Sequence, residues 1–523
     1  MTFLQITLQD FLAFSGLFVI IIVSALYLYL FYETFYPPSF PPAIIVSDKK
    51  ITESPVKNVK NIPTKQLLIS CHPDHIPDKV KKIGLIPYLR KKHLKHGRVL
   101  TDLPLINTIS VIDPMTIRSS LNIGDRPRNM YKFLEPIWGK DNLYVFSADR
   151  AKIYRSFFDP ALSVDVIIDK YHDMRNFGVE IVDNWEKSIV LKHENVVRMQ
   201  DQGLEFSLKA TIQALFGVNL PQDFDLVAYK KAYDDVINGL FDKQFNVLSN
   251  LRDEKIQNSI KHLFQVLCIL IDEKKRIIAS TIQGVNNTIL PPRKDLLDLL
   301  VSEKDPETGK NFEDEKIKDI MSLFLTCGYL TTGVAISWTI FCITQDRNVQ
   351  TKIQNEIDYN LKGQLPLYHD LLNLNFLNQV IKESLRICPP IPILSRYLEK
   401  NTDLETMNDP LNLQAGTVVL YPITVTHEDI HIECDSQKFD ASQPSFNQLK
   451  APFNHCPFGF GDRICPAEKL AMVEIKLMVC LIMQRFHVEL AMPLNRVSGD
   501  EKFILMARND IYIKLIPRKG IEE

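Results

Sequence analysis

The segment Pro457-Phe458-Gly459-Phe460-Gly461-Asp462-Arg463-Ile464-Cys465-Pro466 constrains this chain more than any other stretch. Gly459 and Gly461 admit positive φ and so allow a tight loop. Cys465 ends that loop, and the strongly apolar run from Pro466 to Phe486 reads as a helix. Pro466 suits its first position, where the missing N–H leaves no bond unmade. Loop amides and the positive end of the following helix stabilise a negative sulfur, so Cys465 has the surroundings of a thiolate. A buried cysteine is more often a small hydrophobe. Two glycines and an arginine at these offsets, ahead of an apolar helix, set this one apart. Cys465 is therefore a candidate lone ligand or nucleophile. Arg463, two residues earlier, supplies a cation whose guanidinium matches carboxylate geometry. Cys456 is the nearest rival ligand, but it precedes the loop instead of closing it.

Among 523 residues the formal net charge is -2, which excludes an overall basic footprint for nucleic acid. Nine cysteines are scattered without a Cys-x-x-Cys pair, which disfavours a disulfide framework and a zinc site. Phe11 to Tyr32 contains no charged residue. It is long enough to span a hydrocarbon core, which takes about 20 apolar residues. A cleaved signal peptide fits less well, because the stretch is too long and lacks a basic start, and an Arg-rich transit peptide does not fit. No Lys or Arg precedes the span, whereas Lys49, Lys50, Lys57, Lys60 and Lys65 follow it, so the positive-inside tendency places the C-terminal part on the cytoplasmic side. Residues 1–33 are expected to be a membrane anchor. Residues 34–66, with Pro37, Pro38, Pro41 and Pro42, read as a stiff hinge and linker, and 67–523 as one catalytic domain.

The pattern beyond the linker predicts a mainly α fold with small β-sheets (α+β). Asp78 to Arg98 is rich in lysine and reads as a solvated helix face or as a surface drawn to anionic lipid. Val99 to Ile112 suits short strands, and 134–283 is mostly helical. Asn311 to Thr344 is one long apolar helix; Asn348 to Leu361 and Asn375 to Ile387 are two more, the latter stopping before Pro389 and Pro390. Gly416 to Tyr421 and Ile511 to Ile516 read as strands. Glu383 and Arg386 share one helix face. The long helix carries Cys327-Gly328-Tyr329-Leu330-Thr331-Thr332, whose hydroxyls either bond back to i−4 carbonyls or line a distorted turn at an oxygen pocket.

The cysteine segment resembles the ligand loop of the cytochromes P450, Phe-Gly-x-Gly-x-Arg-x-Cys-x-Gly, at every position but the last, where Ala467 stands. The resemblance extends over roughly 79–518. It implies the fold of that family, haem b (iron protoporphyrin IX) with Cys465 as axial thiolate, and Phe458, Gly459, Gly461 and Arg463 against the cofactor. Glu383 and Arg386 resemble the family's structural Glu-x-x-Arg pair, braced there by a further arginine; Gln443 stands at that arginine's place. Gly328, Thr331 and Thr332 match the family's oxygen-pocket signature and are implied catalytic residues, but Leu330 replaces the acidic residue. Arg155, with Ala151 in place of the family's tryptophan, and Arg396 are implied propionate partners. The implied activity is insertion of one atom of O2 into an apolar substrate at the endoplasmic reticulum membrane. The single-pass chain would keep its catalytic domain cytoplasmic. NADPH-cytochrome P450 reductase would supply electrons, with cytochrome b5 a further candidate donor. Two other readings remain open: a haem-thiolate peroxide isomerase or dehydratase needing no reductase, which Leu330 favours and Thr331 opposes, and a non-catalytic haem-binding protein, suggested by Leu330, Gln443 and Ala467 together.

Overall fold

The computed structural model describes residues 84–518, apart from 246–252, 283–292, 430–438, 442–452 and positions 102, 104, 106, 222, 223, 408, 454 and 502. The expected anchor, the hinge and Gln443 lie outside the described residues.

Among the described residues ten longer helices carry the fold: α1 Leu85–His96, α2 Ala148–Phe158, α3 Val164–Lys192, α4 Met199–Phe216, α5 Leu226–Phe245, α6 Asp253–Ile282, α7 Asp314–Thr344, α8 Arg347–Leu361, α9 Asn375–Ile387 and α10 Glu468–Arg485. Short helical turns link them and are left unnumbered. The strands are β1 Val99–Leu100, β2 Thr108–Val111, β3 Val196–Arg198, β4 Leu394–Tyr397, β5 Thr402–Leu404, β6 Leu411–Leu413, β7 Val418–Tyr421, β8 Phe486–Leu490, β9 Gly499–Glu501, β10 Leu505–Ala507 and β11 Tyr512–Pro517. They form one four-stranded sheet in the order β1-β2-β7-β4, one three-stranded sheet β3-β11-β8, and the pairs β5-β6 and β9-β10. In the largest sheet only β2 and β7 run parallel; there Arg396 of β4 stands opposite Val419 of β7. The fold is thus mostly helical with small sheets, as the sequence pattern predicts.

α7 is the axis of the core. By length and composition it could cross a membrane, yet 83% of its most apolar window is buried inside the fold. Asp314 and Glu315 sit in its first turn, where negative charge suits the helix dipole. It stops at Gln345, and the Asp346 side chain then caps α8 by accepting from the Asn348 and Val349 amides at 2.8 and 3.3 Å. α4 crosses α7 backbone to backbone. A Cβ at Gly203 would stand 2.5 Å from the Gly333 carbonyl oxygen, and one at Gly333 would stand 2.8 Å from the Leu204 Cα. Ser337 ties the crossing by donating to the Met199 carbonyl at 3.2 Å. α9 starts where Glu356 of α8 accepts from the Phe376 and Leu377 amides at 2.7 and 2.9 Å, so one carboxylate satisfies two orphan donors of its first turn. Because no side chain fits at the α4–α7 crossing, Gly333→Val is expected to destabilise the protein by about 1–3 kcal/mol through overpacking, read as a lower urea midpoint.

Candidate functional site

The cysteine loop is closed by its own backbone. The Cys465 amide donates to the Phe458 carbonyl at 2.8 Å, the Gly459 amide to Cys456 at 3.0 Å, and the Ile464 amide to Gly461 at 3.0 Å. Gly459 and Gly461 have φ of 80° and 62°, the left-handed values that the loop demands. At Gly461 the Leu121 carbonyl occupies the place a Cβ would take, so glycine is needed there twice over. The structure corrects one expectation. Pro466 is not the first helical residue: α10 begins at Glu468, with Ala467 as its N-cap. Pro466 and Ala467 form a turn ahead of the helix, and the Ala467 N–H acts on the Cys465 sulfur. Ala467 adopts φ −101° and ψ 20°, open to any residue, so this backbone does not need the family's glycine. Likewise Phe486 opens β8 and does not end α10.

Burial pushes the Cys465 thiol above its ordinary value. The Ala467 N–H opposes that push, Glu468 adds to it, and the charges of Arg155 and Arg126 oppose it. Metal coordination deprotonates a thiol outright, so these groups bias the sulfur toward the form a metal takes.

α9 holds the entrance of the loop. Glu383 and Arg386, 1% and 2% exposed, form a two-point ion pair with distances of 2.8 and 2.9 Å. The second Glu383 contact is the Asp440 amide, which donates to it at 3.1 Å. From α9, Arg386 reaches the His427 carbonyl at 3.4 Å, and the His427 ring contacts both the Arg386 carbonyl and the Cys456 amide. His455, the residue before Cys456, holds the Lys382 carbonyl at 3.1 Å.

Four arginines converge on the loop from separate elements. Arg155 of α2 donates to the Ile464 carbonyl at 2.6 Å, and Arg396 of β4 to the Phe460 carbonyl at 3.2 Å. Arg463 donates to the Gly124 and Phe146 carbonyls. Arg126 donates to the Tyr144 carbonyl at 3.0 Å and lies 3.8 Å over the Tyr144 ring. All these acceptors are neutral carbonyls, and among the described residues none of the four guanidiniums reaches a carboxylate at ion-pair distance. Burial first, then the other arginines, lowers Arg396 to about 10 and Arg463 to about 9; Arg155 falls for the same two reasons. A buried cluster of like charge is costly unless an anion balances it. The two carboxylates of a haem are the kind of group that would do so, and the donor set fits them.

Across from the loop lies one face of α7. Cys327 is accessible although protein surrounds it, and Cys465 and Arg126 both act on its thiol, which burial raises to about 12. Gly328 and Thr331, on the same face, are half-exposed. This face of α7 thus borders open space, and Cys327 on it lies within electrostatic reach of Cys465. Thr331 Oγ1 donates to the Cys327 carbonyl at 2.6 Å, so its lone pairs remain free to accept from that space. Leu330 and Thr332 are 1% and 3% exposed and turn into the core. Gly328 is small for a different reason: a Cβ there would meet Thr211 of α4 at 2.8 Å, and Ser207 of α4 donates to its carbonyl at 3.2 Å.

Of the residues singled out from sequence, Cys465, Phe458, Gly459, Gly461, Arg463, Arg155 and Arg396 lie together around the loop, Gly328 and Thr331 face them, and Glu383 with Arg386 stands behind. Thr332 points elsewhere. Arg126, Cys327 and the ring contacts of His427 were not singled out. Arg126 sits in Asp125-Arg126-Pro127-Arg128, a loop with no recurring pattern, so only the tertiary fold separates it from its neighbours.

A thiol presented by a loop closed on its own backbone, an arginine shell suited to two carboxylates and an accessible face of a long core helix are together the features of a haem-thiolate class of site. Comparison with known proteins agrees. The chain belongs to the cytochrome P450 family: the family model described as Cytochrome P450 matches residues 105–515. It is similar to human cytochrome P450 4X1 (26% identical; 77% of this chain, 81% of that protein) and human cytochrome P450 4F2 (26% identical; 74% and 76%). It is also similar to cytochrome P450 6j1 of Blattella germanica (24% identical; 79% and 82%). The cofactor is haem with an axial cysteine thiolate, and the chain is a haem-thiolate monooxygenase.

The Glu383–Arg386 pair yields a direct prediction. Removing one partner strands a buried charge, so Arg386→Leu is expected to destabilise the protein by about 3–5 kcal/mol, measured as a loss of urea resistance. An unchanged midpoint would mean the pair is not the brace of the loop.

Proposed function

We propose that Cys465 supplies the thiolate, that Arg126, Arg155, Arg396 and Arg463 hold the haem carboxylates, and that the enzyme oxygenates an apolar substrate. The observation that carries this reading is the arginine shell: Asp125, Asp159 and Asp462 act on it from a distance, but among the described residues no carboxylate pairs with any of the four guanidiniums. Bound haem supplies one-electron and oxygen chemistry, which a thiolate donor favours by pushing electron density toward O–O cleavage.

The chain's own residues do the rest. The Cys465 sulfur is oriented by the Phe458–Cys465 backbone bond and receives the Ala467 N–H. Thr331, anchored on the Cys327 carbonyl, can accept a hydrogen bond from water in the open space beside α7. Leu330 carries no proton and faces the core, so Thr331 organises that water without an acidic neighbour at position 330. Electrons come from an NADPH-dependent flavoprotein reductase. The uncharged stretch Phe11 to Tyr32, followed by lysines, supports a single-pass anchor in the endoplasmic reticulum membrane with the site on the cytoplasmic side.

Leu330 also supports a second reading, in which the same site rearranges or dehydrates lipid peroxides. Full-length protein in lipid vesicles separates the two when given a fatty acid with NADPH, reductase and O2, or a fatty-acid hydroperoxide alone. The monooxygenase reading predicts oxygenated product and NADPH consumption only in the first mixture. Product from the hydroperoxide alone, with none from the reductase mixture, would contradict it.

A further inference from the structure

Two histidines sit between α9 and the cysteine loop, and one of them makes a connection that nothing above assigns. His427 lies in the helical turn Ile423–Asp429, fully buried at 0% exposure. Its Nδ1 lies 3.1 Å from the Arg386 carbonyl oxygen, and its Nε2 lies 3.0 Å from the Cys456 amide nitrogen. These partners fix the tautomer. A carbonyl can only accept, so Nδ1 carries the proton; an amide N–H can only donate, so Nε2 is bare. Arg386 returns the contact, its guanidinium donating to the His427 carbonyl at 3.4 Å. His427 is therefore clamped to α9 at two points and offers one directed acceptor to the loop.

That acceptor sits at the head of a chain of bonds. Cys456 gives its N–H to His427 and its carbonyl to the Gly459 amide at 3.0 Å. Phe458, between them, takes the Cys465 amide at 2.8 Å. One path from the buried Glu383–Arg386 pair to the residue bearing the sulfur thus runs through this imidazole, beside a second link from Lys382 of α9 through His455. His455 stacks on that ring, with centroids 5.3 Å apart and planes 19° apart, and bonds the Lys382 carbonyl, so the ring cannot tilt freely.

We infer that His427 is a positioning residue, whose bare Nε2 fixes the entry of the cysteine loop and so keeps the Cys465 sulfur where the loop amides meet it. The inference rests on the reading of Cys465 as the thiolate. The Asp440 amide adds a bond to Glu383, and the His427 ring one to the Arg386 carbonyl, around the same pair. A neutral ring with one donor and one acceptor suits this place, because both groups it meets are backbone.

The test compares full-length wild type, His427→Gln, His427→Asn, His427→Leu and Cys465→Ser, each purified with haem. The quantity read is the share of the reduced, carbon monoxide-bound protein in the red-shifted thiolate-type Soret band, at equal haem content and with urea midpoints recorded. A glutamine places an acceptor near the position of Nε2; an asparagine reaches only the position of Nδ1. His427→Gln is expected to keep most of the thiolate-type band, while His427→Asn and His427→Leu shift the protein toward the blue-shifted form. If His427→Leu does not fold, the asparagine–glutamine comparison reads the same bond. Wild-type ratios in His427→Asn, or equal losses in His427→Asn and His427→Gln, would overturn the inference. A thiolate-type band that survives in Cys465→Ser would instead overturn the ligand reading.

Discussion

Holding a negative sulfur in a protein interior is the constraint that organises this molecule. Burial alone raises the Cys465 thiol and so favours the neutral form. The fold answers with directed donors and cations: the Ala467 amide, and the charges of Arg155 and Arg126. Those donors act only if the loop keeps its shape. Its shape depends in turn on two left-handed glycines and on the grip of α9. The ion pair of Glu383 and Arg386 is thus best understood as rigid support. Its desolvation is compensated by a two-point geometry and by further contacts to Asp440 and His427.

The arginine shell follows the opposite logic. Three of its four members have backbone carbonyls as acceptors and are depressed first by burial and then by one another. Left alone, such a cluster opposes folding. With a dianionic group in place it becomes a specific binding site, since guanidiniums on α2, on β4, in the cysteine loop and near Gly124 can meet that group from several directions. Stability of the site and occupancy by the cofactor are in this way linked, because a ligand that binds only the folded state adds to its stability.

Much of this was legible in the sequence, for identifiable reasons. α9 runs from Asn375 to Ile387, the predicted bounds, because Pro389 and Pro390 cannot continue it. α7 was legible because its apolar run has no breaker before Gln345. The cysteine loop was legible because positive φ at two places demands glycine. What local pattern could not supply was anything decided across the chain. Arg126 joins the shell through tertiary folding alone. His427-Glu428-Asp429 resembles the family's usual lead-in to the segment holding Gln443, but the partners of the His427 ring, Arg386 and Cys456, 41 and 29 residues away, are set by the tertiary fold. The start of α10 was misplaced by two residues: proline suits a first helical position, but here Pro466 and Ala467 form a turn before Glu468.

The claim on which all of this turns is that the iron is bound through Cys465. X-ray absorption at the iron edge of the purified protein reads the first coordination shell directly. The account predicts one sulfur scatterer beside the porphyrin nitrogens in the native chain, and its disappearance in Cys465→Ser. A native shell of nitrogen and oxygen alone, or a sulfur that persists in the substituted protein, would contradict it.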